Sequence, residues 1–255
     1  MMVLDIAYRE FRNLFLTPLA WVILGVVQFI LAWFFFSSIE VFFSLQDQLT
    51  TMSNPPGVTD LVISPLFRTA GIVLLMVLPL LTMRLISEER RNHTLSLLQS
   101  APLSISEIVI GKYLGLLMFI TVVVAVISLM PVSLYLGTTP DTGKLIAGLL
   151  GLFLLLAAFS AAGIYMSSLT DNPMVAAISS FGLLLLLWII NTGTSQGGAN
   201  TDASPDVLGY QSMHTHFSNM LRGIVNTADI AYFILFILCF IILTIRQMET
   251  IRLQS

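Results

Sequence analysis

The sequence is short of charge: Asp, Glu, Lys and Arg make up 10% of its 255 residues, against about a quarter in a soluble domain. With 56% hydrophobic residues and a mean hydropathy of +0.93, it cannot cover itself with polar surface, so its main solvent is lipid. Cysteine is nearly absent. The single Cys239 lies inside the apolar run "FILCFIIL", which excludes an internal disulfide and a thiolate metal cluster. A phosphate-cradling loop, G-x-x-x-x-G-K-[ST], is also lacking. The nearest stretch, "GTTPDTGKL" at Gly137 to Leu145, has its glycines one residue too far apart and leucine after the lysine. No cofactor is therefore expected in this chain. The N-terminal stretch lacks the charged start, short apolar run and small-residue site of a cleaved signal, so the first long apolar run is expected to be a true span. The net charge of −3 says little, because in a membrane protein the placement of charge matters more than the sum; no nucleic-acid partner is expected.

What is present is a series of long apolar runs. A helix needs about 20 apolar residues to cross the hydrocarbon core, and six segments qualify or nearly do: about 19–43, 66–84, 108–136, 145–169, 173–191 and 230–245. The second and sixth have the shortest charge-free stretches, 15 residues between Arg68 and Arg84 and 16 between Asp229 and Arg246. Arginine side chains that snorkel to the headgroups make both long enough. The spacing thus predicts an all-α polytopic membrane protein. Lysine and arginine set its orientation. Eight lie in the N-terminal segment, the 2–3 connection (Lys112 counted with it) and the C-terminal tail, against three (Arg68, Lys144, Arg222) in the opposite connections. Both termini are expected on the cytoplasmic side. The predicted spans hold few polar groups (Gln28, Ser128, Ser160, Ser167 and Asn191) and are read as free of charge.

Before the first span, "LDIAYREFRNLF" is amphipathic: Leu4, Tyr8, Phe11 and Phe15 form one stripe, with Asp5, Arg9, Arg12 and Asn13 opposite. This predicts an interfacial elbow helix over 2–17, separated from the span by Pro18. The outer connections are "SNPPG", read as a turn, the short "GTTPDTGK", and a long loop over 192–229. Within that loop, Phe217, Met220, Leu221, Ile224 and Val225 fall at helical spacing, predicting short helices that re-enter or lie on the outer leaflet. His214, His216 and Arg222 are read there as interfacial polar residues. "AAFSAAG" (Ala157 to Gly163) predicts close helix approach, and Pro79 and Pro131 are expected to kink their spans.

One strip breaks the apolar monotony. "RLISEERRNHTLSLLQSAPLS", residues 84–104, begins with Arg84, Glu88, Glu89, Arg90 and Arg91. The second span is expected to run through "LISEERR" and end at Asn92–His93, which tolerate left-handed backbone. Thr94 then reads as the N-cap of a short helix offering Leu95, Leu97 and Leu98 and stopped by Pro102. Ser104 with Glu107 reads as a capping box for the third span. An apolar helix flanked by both charge signs is suited to a partner's groove. A positive-inside anchor with its leucines on lipid is the other reading of the same residues.

"TMRLISEERRNHTLSLLQSAPLSISEIVIGKYLG" resembles the coupling segment of type-2 ATP-binding-cassette exporter permeases. "HFSNMLRGIVNTADIAYFILF" and, more weakly, "SSLTDNPMVAA" resemble the same family, in its gliding-motility and nitrous-oxide-maturation branch. His93 stands where the family commonly has glycine. The resemblance covers essentially the whole chain and implies a single permease domain over 1–255: elbow helix, six spans, and short re-entrant helices before the last. It implies a multi-pass protein of the bacterial inner membrane, paired with a second permease, identical or different, and with a separate ATPase subunit that binds the ATP and Mg. An extracytoplasmic protein is a further candidate partner, alongside membrane lipid. Carried over by position, Glu88, Glu89, Arg90 and Arg91 would lie at the ATPase face, and Thr94, Leu95, Leu97 and Leu98 in the coupling helix. Tyr8, Arg9, Phe11, Arg12 and Phe15 would belong to the elbow, and His216, Phe217 and Arg222 to the outer re-entrant segment.

Two other classes use the same features. An intramembrane metalloprotease would pair Glu88–Glu89 with His214 and His216. The glutamates and histidines fall on opposite predicted faces, and about 30 Å of hydrocarbon separates such ligands. A non-transporting membrane scaffold would have the spans but stimulate no ATPase.

Overall fold

The computed structural model describes residues 2–49, 56–92, 104–189 and 213–254. The elbow is α1 (Met2–Leu16), and the first span is α2 (Pro18–Leu49). They part at Thr17, just before Pro18, whose ring prevents one continuous helix. A single π-helical turn, Thr59–Ile63, leads directly into α3 (Ser64–Thr82), and α4 (Arg84–Arg91) follows after a break at Met83. The next helices are α5 (Ile105–Ser133), α6 (Thr142–Leu169), α7 (Pro173–Ile189), α8 (Met213–Leu221) and α9 (Thr227–Gln254). No strand occurs among the described residues.

Five of these segments are long and apolar enough to cross a membrane: Pro18–Gln46, Thr59–Arg91, Ile105–Leu136, Thr142–Leu169 and Thr227–Ile251. Pro173–Ile189 is equally apolar but has only 17 residues. The second segment is longer than expected. At 1.5 Å per residue its 33 residues reach about 50 Å, against about 30 Å of hydrocarbon. The surplus is α4, whose composition of charge and polar groups suits the water side.

The centre of the bundle is α6, which packs against α3, α4, α5, α7, α8 and α9. Small residues permit this: Ala157, Ala158, Ser160, Ala161 and Ala162 are buried, and a Cβ on Gly163 would collide with the Thr82 side chain. The expected close approach at "AAFSAAG" is thus realised against α3. Helices α2 and α9 lie on the outside, and few of their described apolar side chains are buried.

Ends are set by local chemistry. Ser104 caps α5 in the expected box: Glu107 N–H donates to Ser104 Oγ at 3.2 Å, and Ser104 N–H donates to Glu107 Oε2 at 2.9 Å. Asp141 caps α6, its Oδ1 accepting from the N–H groups of Gly143 and Lys144. Helix α8 stops at Leu221, where Gly223 at φ +82° completes a Schellman turn: Ile224 N–H donates to Asn219 O and Gly223 N–H to Met220 O. The expected amphipathic stripe therefore ends early, and Ile224 and Val225 are exposed in the turn beyond it. Asn92 terminates α4 as expected, but at φ −86° and ψ 4° rather than in the left-handed region. His93, the coupling-helix residues Thr94, Leu95, Leu97 and Leu98, and the "SNPPG" turn (Pro56 and Gly57 excepted) lie outside the described residues.

Candidate functional site

The charged strip is the only described segment in which four charged residues follow consecutively, and α4 holds it in a defined setting. The break at Met83 has a specific cause. Ser167 of α6 inserts its hydroxyl there: Oγ accepts from the N–H groups of Ile86 at 3.2 Å and Ser87 at 3.1 Å, and donates to Met83 O at 3.0 Å. That uses the full capacity of a hydroxyl. The side chain of Ser87 turns back on the Met83 carbonyl as well. Helix α4 is thus bonded to the centre of the bundle at its first turn.

Its charges divide into two classes. Glu88 and Arg91 are exposed, as is Arg84 at the start of the helix. Arg90 turns sideways, with Nε on Asp171 and Nη1 donating to Ser168 O at 3.4 Å. This ties α4 to the α6–α7 connection, which carries the "SSLTDNPMVAA" motif. Glu89 turns inward to Lys112 Nζ at 2.7 Å, and the same ammonium reaches Glu10 of the elbow at 2.8 Å. Lys112 is 2% exposed. It is therefore no solvated lysine of a connecting loop, and the spans are not free of charge. The ammonium is buried because two carboxylates surround it, the condition under which a buried charge is tolerated.

The elbow reaches Lys112 because α5 presents glycines to it. A Cβ on Gly111 would meet Ile6 Cγ2 at 2.7 Å, and one on Gly115 would meet Ala7 O and Glu10 Cβ at 2.8 Å each. "GKYLG" is thus a small-x-x-x-small seam that takes α1 side-on, with the lysine placed to meet Glu10. The expected elbow stripe divides accordingly. Phe11 and Phe15 pack inward, Phe15 with its ring centroid 5.3 Å from that of Phe119. Leu4 and Tyr8 point outward, as do Arg9 and Arg12. The corner into α2 is closed by Trp21 Nε1, which donates to Phe15 O at 2.9 Å.

The opposite end of the bundle is built differently. Helix α8 lies across α6, where Gly148 and Gly151 leave room for Phe67 and Met220, and Phe217 is fully buried against Gly71. Lys144 pairs with Asp60 at 2.9 Å. His216 is not an exposed interfacial group. It is buried with Nδ1 2.5 Å from Asp229 Oδ1 and its ring stacked on Tyr232. His214 meets the edge of Trp188 at 4.8 Å, and burial, helped by the charge of Arg68, holds its pKa below the ordinary value. Arg222 is exposed. Among the described residues no group of three or more His, Cys, Asp or Glu side chains is arranged to hold a metal ion.

Glu88 to Arg91 are therefore brought together with three groups that the sequence reading did not assign to the site: Glu10, Lys112 and Asp171. The available signal was the G-x-x-x-G around Lys112, facing an elbow with a single glutamate. The model of a family described as ABC-2 family transporter protein matches residues 4–249. No curated protein matches the chain significantly.

Proposed function

The chain belongs to the ABC-2 family of transporter proteins, and from that premise we propose that it is the permease subunit of an ATP-binding-cassette exporter in the bacterial inner membrane. It works as half of a membrane dimer with a separate ATPase that binds ATP and Mg, and its branch is that of gliding motility and nitrous-oxide maturation. Both termini and the 84–104 segment face the cytoplasm. The chain crosses six times, with α7 as the fifth span. Supporting this, Asp171 before α7 meets Arg90 at the elbow end, whereas Trp188 in its last turn meets His214 at the opposite end. Seventeen residues reach about 26 Å, enough where flanking groups snorkel. Helix α8 is the outer re-entrant element.

The observation that carries the coupling role is the anchorage of α4. It extends a span beyond the hydrocarbon, leaves Glu88 and Arg91 exposed, and is bonded to α1, α5 and α6 through Glu89, Lys112 and Ser167. A force on α4 and the 93–103 segment after it is thereby delivered to the spans. The ATPase needs only to prefer one arrangement of a two-state permease dimer for its nucleotide cycle to drive the other transitions.

The test is a double variant, Glu88→Arg with Leu98→Asp, in the intact chain. We expect the protein to insert normally while its cognate ATPase no longer co-purifies with it. Undiminished ATPase binding by that variant removes the docking assignment.

A further inference from the structure

We propose that the pocket between the elbow and the α3–α4 helix is a binding site for the headgroup of a phospholipid that carries both a phosphate and a primary ammonium, the phosphoethanolamine class. This rests on the reading that α1 and α4 lie at the cytoplasmic membrane surface.

The pocket holds about 270 Å³ and is lined by α1, the first turn of α2, and the cytoplasmic end of α3 with α4. That is near the lower bound of the roughly 300–1,000 Å³ typical of small-molecule sites, enough for a headgroup and too little for a lipid with its tails. Its back wall is the Glu10–Lys112–Glu89 triad, in which the ammonium is already taken by two carboxylates. The remaining charges are Arg9, Arg84 and Glu88, none of which makes an ion pair among the described residues. Two guanidiniums and one carboxylate facing a single pocket match a phosphodiester with an attached cation. The fork of an arginine suits the phosphate oxygens. Glu88 can accept hydrogen bonds from a primary ammonium and none from a quaternary one.

Depth agrees with this occupant. Arg84 ends the charge-free stretch of α3, and Trp21 marks the elbow corner, both signs of the interface. On the membrane side of the charges the pocket is lined by Leu14, Leu19 and Leu80, an apolar exit along which acyl chains leave the headgroup. Glu88 lies one turn beyond Arg84, about 6 Å further toward water, which is where the ammonium of a headgroup sits relative to its phosphate if the phosphate meets Arg84.

The test uses the purified full-length chain without its ATPase. It is equilibrated with mixed micelles of phosphatidylethanolamine, phosphatidylcholine and phosphatidylglycerol, and bound lipid is counted by native mass spectrometry. Phosphatidylethanolamine should be retained over the other two. Arg84→Gln should lower its retention about tenfold, the loss of one charge-assisted contact, with Arg84→Lys in between and Arg246→Gln, outside the pocket, without effect. Arg9→Gln supplies the same reading if Arg84→Gln does not fold. Glu88→Gln should abolish the preference over phosphatidylcholine while keeping phosphate-dependent retention. Soluble glycerophosphoethanolamine should compete and inorganic phosphate should not. Equal retention of the three lipids, a preference for phosphatidylglycerol, or displacement by inorganic phosphate alone overturns the proposal. Because no ATPase is present, selective retention survives a failure of the docking test, and a successful docking test does not rescue a pocket without selectivity.

Discussion

At the scale of single residues, Lys112 decides most. Its ammonium is the only described cation held by two carboxylates from two other helices, Glu10 and Glu89. Lys112→Met leaves those carboxylates close together without a counter-charge. Breaking a fully buried pair costs about 3–5 kcal/mol. Glu10 and Glu89 stay partly exposed, so we expect about 2 kcal/mol, read as a lowered thermal midpoint in detergent. Adding Glu10→Gln and Glu89→Gln to Lys112→Met should recover most of the loss, and no recovery would show that the lysine acts by packing alone. His214 predicts a pH dependence. Its pKa is held below the ordinary 6.5 by burial and by Arg68, so the unfolded chain binds a proton that the folded chain does not. Stability from this site is complete above that value and falls as the pH drops below it. Thermal midpoints measured between about pH 7 and pH 5 should fall for the natural protein more than for His214→Phe. The sequence placed His214 on a short helical segment before the last span, but it could not show the Trp188 ring beside it, because the two are far apart along the chain.

Helices supply the next scale. The elbow is amphipathic, and its existence and its break before Pro18 were legible from spacing and from proline chemistry. Which of its faces is covered was not. The apolar stripe Leu4–Tyr8–Phe11–Phe15 suggested one continuous contact, yet Leu4 and Tyr8 face outward. Close approach is set by the partner's glycines, and α1 docks along Ile6, Ala7 and Glu10 onto Gly111 and Gly115. Gly115→Leu should therefore displace the elbow at a cost of about 1–3 kcal/mol, the range for overpacking. Gly182→Leu, where a Cβ meets nothing within 4 Å, should be silent. A disulfide-trapping pair between α1 and α5 measures the displacement directly: loss of cross-linking in Gly115→Leu but not Gly182→Leu is the expected result, and equal cross-linking in both contradicts the seam.

For the molecule as a whole, topology is the testable quantity. Asp171 pairs with α4 at one end and Trp188 contacts α8 at the other, so the contacts at the two ends of the 17-residue α7 reach both ends of the bundle, which is what supports the proposed sixth crossing. In a Cys239→Ser background, Arg222→Cys should react with an impermeant maleimide on intact spheroplasts, and Arg91→Cys only after permeabilisation. Labelling of both from the same side contradicts six crossings. Composition, apolar run length and arginine placement determined by themselves that this chain lives in lipid, is helical, and concentrates exposed charge in one strip after the second span. Those properties depend on solvation and local hydrogen bonding, which act over a turn or two. Only the tertiary structure decided which of the strip's charges face outward and which close the frame. That choice depends on Glu10, Lys112, Ser167 and Asp171, whose distances from α4 along the chain hide their contacts from any local pattern, and on glycines whose value lies in the neighbour they admit.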